Sequence, residues 1–103
     1  MQGESKRADV LSNLASLLSD MGLTEESERE YRESLRLNAS HSSALFNLAM
    51  LLQDQRRFRE SQDLYERLVS LDDTDADVWA NLGAVYHESG MLSSAVDAYK
   101  RSV

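Results

Sequence analysis

Few residues in this chain have the types and spacing that catalysis requires. The only histidines, His41 and His87, lie in different parts of the sequence, and there is no cysteine. The numerous carboxylates fall mostly in runs such as TEESERE (24–30), which are typical of a solvated helix face. No HExxH metal motif, phosphate-binding glycine loop or GxSxG nucleophile motif is present. The sequence therefore predicts a chain that is not an enzyme, with no catalytic residues, no metal and no cofactor.

The charge balance narrows the class of partner. The 103 residues carry 18 acidic and 11 basic side chains, which gives a formal net charge of −7. A surface of this sign does not favour general binding to nucleic acid or to anionic lipid. No apolar run approaches the ~18 residues that a membrane span needs, whereas a hydrophobic content of 42% is enough for a buried core. We therefore expect a protein or peptide partner.

Asn38 begins an N-glycosylation sequon, Asn38-Ala39-Ser40. Such triplets often arise by chance, and the sequence shows no secretory signal peptide. We expect a cytoplasmic protein, with the secretory lumen as the alternative if a glycan is attached at Asn38.

Apolar residues recur at steps of three and four along most of the chain, which indicates amphipathic helices. The first such run comprises Val10, Leu11, Leu14, Leu17, Leu18 and Met21. Short connections make neighbouring helices antiparallel, so the predicted fold class is all-α. The six predicted helices span about 8–21, 24–38, 42–55, 58–71, 76–89 and 92–103.

Local signals mark the helix ends. Gly22 and Gly90 fall where a residue in the left-handed region closes a helix. Thr24 can cap the second helix, and Thr74 or Asp75 can cap the fifth.

The sequence repeats with a period of 34 residues. The positions that are identical in all three copies are Asn13/Asn47/Asn81, Leu14/Leu48/Leu82 and Tyr31/Tyr65/Tyr99. Small residues, which let two helices approach closely, recur at Ala15/Ala49/Gly83 and Ser27/Ser61/Ala95. Such a period is typical of a solenoid. One repeat domain is predicted over 8–103, with repeats 8–41, 42–75 and a shortened 76–103, after a flexible leader or cloning remnant over 1–7.

The run WANLGAVY (79–86), followed by Gly90, Ala95 and Tyr99, resembles the tetratricopeptide repeat (TPR). The resemblance implies an all-α solenoid, with about six antiparallel helices forming three helix-turn-helix repeats in a right-handed superhelix. The chain departs from the family pattern at Arg56, which stands where the turn glycine is usual.

The resemblance also implies a concave groove, lined by the first helix of each repeat, in which an extended peptide binds. None of the groove positions holds Lys or Arg. Arrays that grip the acidic C-terminal tails of chaperones use a clamp of basic residues there, so such tails are disfavoured. The predicted peptide-binding residues are Asp9, Asn13, Asp20, Phe46, Asn47, Met50, Asp54, Asp77, Asn81, His87 and Glu88.

One asparagine per repeat, at Asn13, Asn47 and Asn81, is similar to the asparagine ladder in the TPR arm of protein O-GlcNAc transferases. A side-chain amide offers both a donor and an acceptor, so it can pair with any peptide bond. The acidic groove positions favour a neutral to basic or Ser/Thr-rich segment. The alternative is that the asparagines hold neighbouring repeats together.

The favoured function is a non-catalytic interaction scaffold, a fragment of a longer TPR protein, that binds an extended partner segment in its groove. Two alternatives stay open: a structural module that self-associates or extends a longer solenoid, and the substrate-recruiting arm of a larger glycosyltransferase. The apolar residues Leu92, Val96, Tyr99 and Val103 lack a covering helix, which favours a homo-oligomer formed through this C-terminal seam.

Overall fold

The structure is a computed structural model that describes residues 2–103. This part of the chain folds into six α-helices and contains no strand, which confirms the predicted all-α fold. None of these helices has the length and apolar character needed to cross a bilayer. The helices are α1 (Gln2–Asp20), α2 (Thr24–Leu37), α3 (Ser42–Asp54), α4 (Phe58–Leu71), α5 (Ala76–Glu88) and α6 (Leu92–Arg101).

The start of α1 differs from the expected flexible leader over residues 1–7. The helix begins at Gln2, so residues 2–7 are helical, whereas Met1 lies outside the described residues. The segment QGESKR contains no proline. Glu4 also lies in the first turn, where a carboxylate interacts favourably with the helix dipole. A polar composition therefore did not prevent the helix from extending.

The helices pack as three antiparallel pairs, and each pair packs on the next: α2 contacts α3, and α4 contacts α5. Helix α1 also contacts α3, which brings the first helices of neighbouring repeats side by side. We call the contact between successive pairs a repeat joint. The buried core includes Leu45, Leu48, Leu52, Leu64, Tyr65, Leu82 and Val85.

The small residues predicted to allow close helix pairing do so. The hydroxyl of Ser27 donates to the carbonyl of Ala15 at 2.7 Å, and Ser61 donates to the carbonyl of Ala49 at 2.8 Å. Both serines are fully buried, so their hydroxyls need these acceptors. In the third pair, a Cβ added to Gly83 would lie 3.0 Å from the ring of Tyr99, so the aromatic ring occupies the available space.

The turn inside each helix pair has the same geometry. After α1, the N–H of Gly22 donates to Ser19 and the N–H of Leu23 donates to Leu18, which is the Schellman arrangement. Gly22 and Gly90 have φ values of +79°, and Arg56, at the equivalent position after α3, has φ +62°. The departure from the family pattern at Arg56 therefore leaves the turn unchanged but places a non-glycine residue in the left-handed region.

The predicted N-caps have different outcomes. Asp75 caps α5 by accepting hydrogen bonds from the N–H groups of Asp77 and Val78. The prediction for Thr24 is wrong: it is the first helical residue of α2, and Leu23 occupies the cap position without a side-chain cap. The reason is that Leu23 also completes the turn after α1, so the chain enters α2 directly.

Candidate functional site

The exposed side of α1, α3 and α5, which we call the first-helix surface, carries two clefts that meet at Asn47 on α3. The α1–α3 cleft has a volume of about 210 Å³. Its lining residues are Ser16, Ser19, Asp20, Tyr31, Asn47, Met50, Leu51 and Asp54. The α3–α5 cleft has a volume of about 260 Å³. Its lining residues are Ser42, Ser43, Phe46, Asn47, Leu68, Asp75 and Val78.

The α1–α3 cleft is electronegative. Two exposed carboxylates, Asp20 and Asp54, stand at equivalent positions near the ends of α1 and α3. Burial raises the pKa of the Tyr31 hydroxyl, a hydrogen bond with Ser16 opposes this, and the negative charge of Asp20 adds a smaller increase. Burial, followed by the charge of Asp54, likewise raises the pKa of Tyr65. Among residues 2–103, no Lys or Arg lines either cleft. The site therefore suits a cation better than an anion.

The α3–α5 cleft is lined partly by apolar side chains. Phe46 is half-buried and packs edge-on against Tyr65, with the ring centroids 6.1 Å apart. Leu68 and Val78 are buried at the base of the cleft. A ligand that entered here would meet an aromatic edge and two aliphatic side chains, with Asp75 beside them.

The side chains of the three repeated asparagines, Asn13, Asn47 and Asn81, make no hydrogen bond within residues 2–103. Asn13 is exposed, and Asn47 and Asn81 are half-buried. Within residues 2–103, the side-chain hydrogen bonds that cross between repeats include those of Arg32, Arg57 and Tyr86 with glutamates and that of Trp79 with the carbonyl of Asp73, and none involves these asparagines. Their amides are therefore free to pair with a ligand.

The clefts bring together five of the predicted site residues: Asp20, Phe46, Asn47, Met50 and Asp54. The six others, which line neither cleft, are Asp9, Asn13, Asp77, Asn81, His87 and Glu88.

Two of these six residues contact neighbouring side chains. Asp9 accepts a hydrogen bond from Nε2 of His41 at 2.7 Å, while Nδ1 of that histidine caps α3. Glu88 lies 3.7 Å from the guanidinium of Arg56. Asp9 is therefore attached to the connection before α3, and Glu88 to the turn after it.

The predicted glycosylation residue, Asn38, is half-buried just after α2. Its side-chain oxygen accepts a hydrogen bond from the N–H of Ser40 at 3.2 Å. The side chain thus stabilises the local turn.

Sequence reasoning missed some cleft residues, because they come from the second helix of a repeat or from a connection. Tyr31 belongs to α2, Leu68 to α4, and Asp75 precedes α5. The only signal for Tyr31 was that its repeat position is tyrosine in all three copies. No group of His, Cys, Asp and Glu suited to a metal ion occurs among residues 2–103.

The fold is similar to several solved structures. One MamA crystal structure superposes with a TM-score of 0.88 at 16% identity, over 95% of this chain and 57% of that one. The second TPR domain of Spaghetti (RPAP3), bound to the HSP90 peptide SRMEEVD, gives a TM-score of 0.89 at 14% identity, covering 99% and 96%. YrrB, described as a TPR protein with an unusual peptide-binding site, gives 0.83 at 22%, covering 90% and 48%.

These likenesses concern the fold, since all identities are low. The chain spans a little over half the length of the MamA structures that it matches. Comparison with curated proteins at the sequence level gives no match.

Family models match nearly the whole chain. One tetratricopeptide repeat model matches residues 46–103 and a second matches residues 7–41. Together with the three helix pairs and their shared turn geometry, these matches show that the chain belongs to the tetratricopeptide repeat family.

Proposed function

We propose that this chain is a non-catalytic protein-interaction module that binds an extended, basic or hydroxyl-rich segment across its first-helix surface. The observation that carries the proposal is the meeting of two clefts at Asn47, one of them lined by two carboxylates. The segment crosses α3 at this residue, with one part in each cleft.

The asparagine amides supply recognition that does not depend on the ligand's side chains. The Asn47 amide donates to a peptide carbonyl and accepts from a peptide N–H of the segment, which satisfies both groups. Asn13 and Asn81 extend these contacts to the first and third repeats. The proposal is supported by the lack of intramolecular hydrogen bonds from these side chains within residues 2–103.

The side chains of the segment are selected by the two clefts. A lysine or arginine side chain enters the α1–α3 cleft, where Asp20 and Asp54 balance its charge and the Tyr31 hydroxyl offers a hydrogen bond. An apolar side chain enters the α3–α5 cleft and packs against Phe46. Charge sets the preference for the first position, because two carboxylates on one cleft favour a cation and disfavour an anion.

The acidic peptide in the RPAP3 structure can be compared with the charge of the clefts in this chain. The RPAP3 domain binds the HSP90 peptide SRMEEVD, so the shared fold is compatible with an acidic ligand. In this chain the first-helix surface presents Asp20 and Asp54, and no basic side chain lines its two described clefts. We propose that side-chain charge, rather than the backbone, disfavours such tails here.

The test compares SRMEEVD with its charge-reversed counterpart SEMKKVK, with both peptides amidated, by fluorescence anisotropy. We expect the basic peptide to bind at least about tenfold more tightly, equivalent to about 1.4 kcal/mol. Equal binding of the two peptides, or preference for SRMEEVD, would overturn the proposed specificity.

Variants then locate the site. Asp20→Asn with Asp54→Asn should weaken binding of the basic peptide by roughly tenfold. Asp63→Asn, at an exposed position of α4 outside both clefts, is the matched charge control and should change it less than about twofold. Asn47→Ala should weaken binding with an unchanged melting temperature. A lower melting temperature with intact binding would instead assign Asn47 a role in holding repeats together.

A substrate-recruiting role for a glycosyltransferase is a special form of the same function, supported only by the spacing of the asparagines. It requires that a Ser/Thr-rich segment without basic residues also binds, which the same anisotropy assay measures with a neutral Ser/Thr peptide.

A structural, self-associating role is the second candidate, and it is favoured by the exposed apolar faces at the two ends of the repeat array.

A further inference from the structure

The repeats allow the exposed face of α1 to be compared with its own equivalents. Val10, Leu14 and Leu17 form a stripe on α1, which we call the N-terminal seam. Leu14 is 42% exposed, whereas Leu48 and Leu82, at the same repeat position in α3 and α5, are 0% and 1% exposed. The same holds for Val10, which is 57% exposed, against 0% for Ala44 and 4% for Val78. In α3 and α5 this face is buried because the preceding helix packs on it.

Helix α6 shows the complementary situation. Leu92, Val96 and Tyr99 form a stripe along its outer face, and with Val103, which follows the helix, they make up the C-terminal seam. Tyr99 is 42% exposed, whereas Tyr31 and Tyr65, at the same repeat position, are 3% and 0% exposed. Val96 is 52% exposed, and its equivalent in α4, Gln62, is 8% exposed. In α2 and α4 this face is buried against the following helix.

The two seams are therefore the two halves of the repeat joint that the chain already forms twice, between α2 and α3 and between α4 and α5. We infer that the seams bind each other between copies, so that α6 of one copy packs on α1 of the next. The occupant of each seam is a second copy of this chain, because the internal joints show that these repeat positions are mutually complementary. A helix that covers the C-terminal seam must present an apolar stripe. The N-terminal seam of a second copy is such a stripe.

The symmetry of the contact determines the products. A contact between two different surfaces is heterologous, so it adds copies in a head-to-tail chain instead of closing a dimer. The seams carry no charged residue, while each copy carries a net charge of −7. Added salt screens this repulsion and strengthens the association. None of the seam residues lines either cleft, so the inference does not depend on the proposed peptide binding.

The experiment is sedimentation velocity of the full chain from micromolar to millimolar concentration, at low and high salt. We expect the mean mass to rise beyond that of a dimer with concentration, and to rise further at high salt. A chain that stays monomeric throughout would overturn the inference.

Two seam variants determine which surfaces meet. Leu17→Glu and Val96→Glu change side chains that are 57% and 52% exposed, so both variants should keep the wild-type circular dichroism. Each alone should be monomeric, since one seam is blocked. A mixture of the two should form a one-to-one dimer, because each supplies the seam that the other lacks.

Other results would contradict this arrangement. Dimerisation of Leu17→Glu alone would indicate a symmetric contact between two α6 helices and would overturn head-to-tail stacking. The control Leu71→Glu, at a position 48% exposed and outside both seams, should associate like the wild type. Binding of SEMKKVK should be the same in all three variants, which separates failure of the stacking from failure of the peptide site.

Discussion

At the scale of single residues, the turn position after the first helix of each pair shows how one backbone geometry tolerates two residue types. Gly22 and Gly90 reach φ +79° at no steric cost, and Arg56 holds φ +62°. The guanidinium of Arg56 lies 5.2 Å from the centroid of the Phe58 ring and 3.7 Å from Glu88. These surface contacts offset part of the backbone strain.

The first prediction concerns this turn. Gly90→Ala should lower the free energy of unfolding by about 1 kcal/mol, because an L side chain disfavours the left-handed region, and no neighbouring atom would contact the added Cβ. Arg56→Gly should raise it by less than about 1 kcal/mol, after loss of the contact with Phe58. Urea denaturation measures both changes.

The matched control is Gly3→Ala, where the glycine lies inside α1 with open space around it. There the substitution should leave stability unchanged or increase it, because alanine favours the helix. An equal loss of stability for Gly3→Ala and Gly90→Ala would argue against a conformational cause.

At the scale of helices, one arginine connects α2 with α4. Arg57, at the start of α4, donates from Nη1 to Glu28 on α2 at 2.6 Å and from Nε to Glu60 at 2.7 Å. The hydrogen bond from Arg57 is the main cause that lowers the pKa of Glu28, with a further contribution from Arg32 against the effect of burial. The first and second repeats are thus joined by charge as well as by apolar packing.

The second prediction follows from this lowered pKa. The unfolded chain takes up a proton on Glu28 near its usual pKa of 4.5, whereas the folded chain does so only at lower pH. The stabilisation is therefore complete above the unfolded pKa and is lost as the pH falls below 4.5 and through the lower pKa of the folded state. Glu28→Gln should cost about 1 kcal/mol at neutral pH and should make stability less dependent on pH in this window.

Chemical denaturation at a series of pH values checks this expectation. Glu25→Gln, an exposed position in the first turn of the same helix, is the matched control and should retain the acid sensitivity of the wild type. If Glu28→Gln and the wild type lost stability in parallel down to pH 3, the ion pair would not be the source of that sensitivity.

At the scale of the whole molecule, the chain is a layered array, with principal extents of 41 × 29 × 18 Å. Each helix pair contacts mainly its neighbours, so the middle repeat is covered on both sides and the outer repeats on one. Stability in such an array depends on the interfaces between repeats as well as on each repeat itself. Equivalent residues should therefore contribute differently according to their repeat.

The third prediction compares two such residues. Leu48→Ala should cost about 3 kcal/mol, as expected for a fully buried leucine in a packed core, because Leu48 is 0% exposed. Leu14→Ala should cost less than about 1 kcal/mol in the monomer, since that side chain is 42% exposed. Denaturation at low protein concentration measures both, and equal costs would show that α1 is covered in solution.

Several features of this fold could be predicted from local patterns. Apart from the start of α1, the helix ends followed from apolar periodicity and turn residues, because helices are stabilised by contacts only three or four positions apart. The Asp75 cap followed for the same reason. Thr24 did not cap α2, because the turn from α1 leads directly into that helix, and a capping residue type alone does not report the path of the chain.

The sequence by itself determined that this chain is an all-α array of three similar units, since the 34-residue period and the 3.6-residue period can both be recognised from the order of residues alone. Only the tertiary structure decided which side chains share a cleft. Tyr31 of α2 lines the same cleft as Asn47 of α3. Asp9, which was also predicted to lie in the groove, instead contacts His41. The physical reason is that clefts form between helix pairs, and the offset and angle between pairs depend on how side chains pack across each repeat joint.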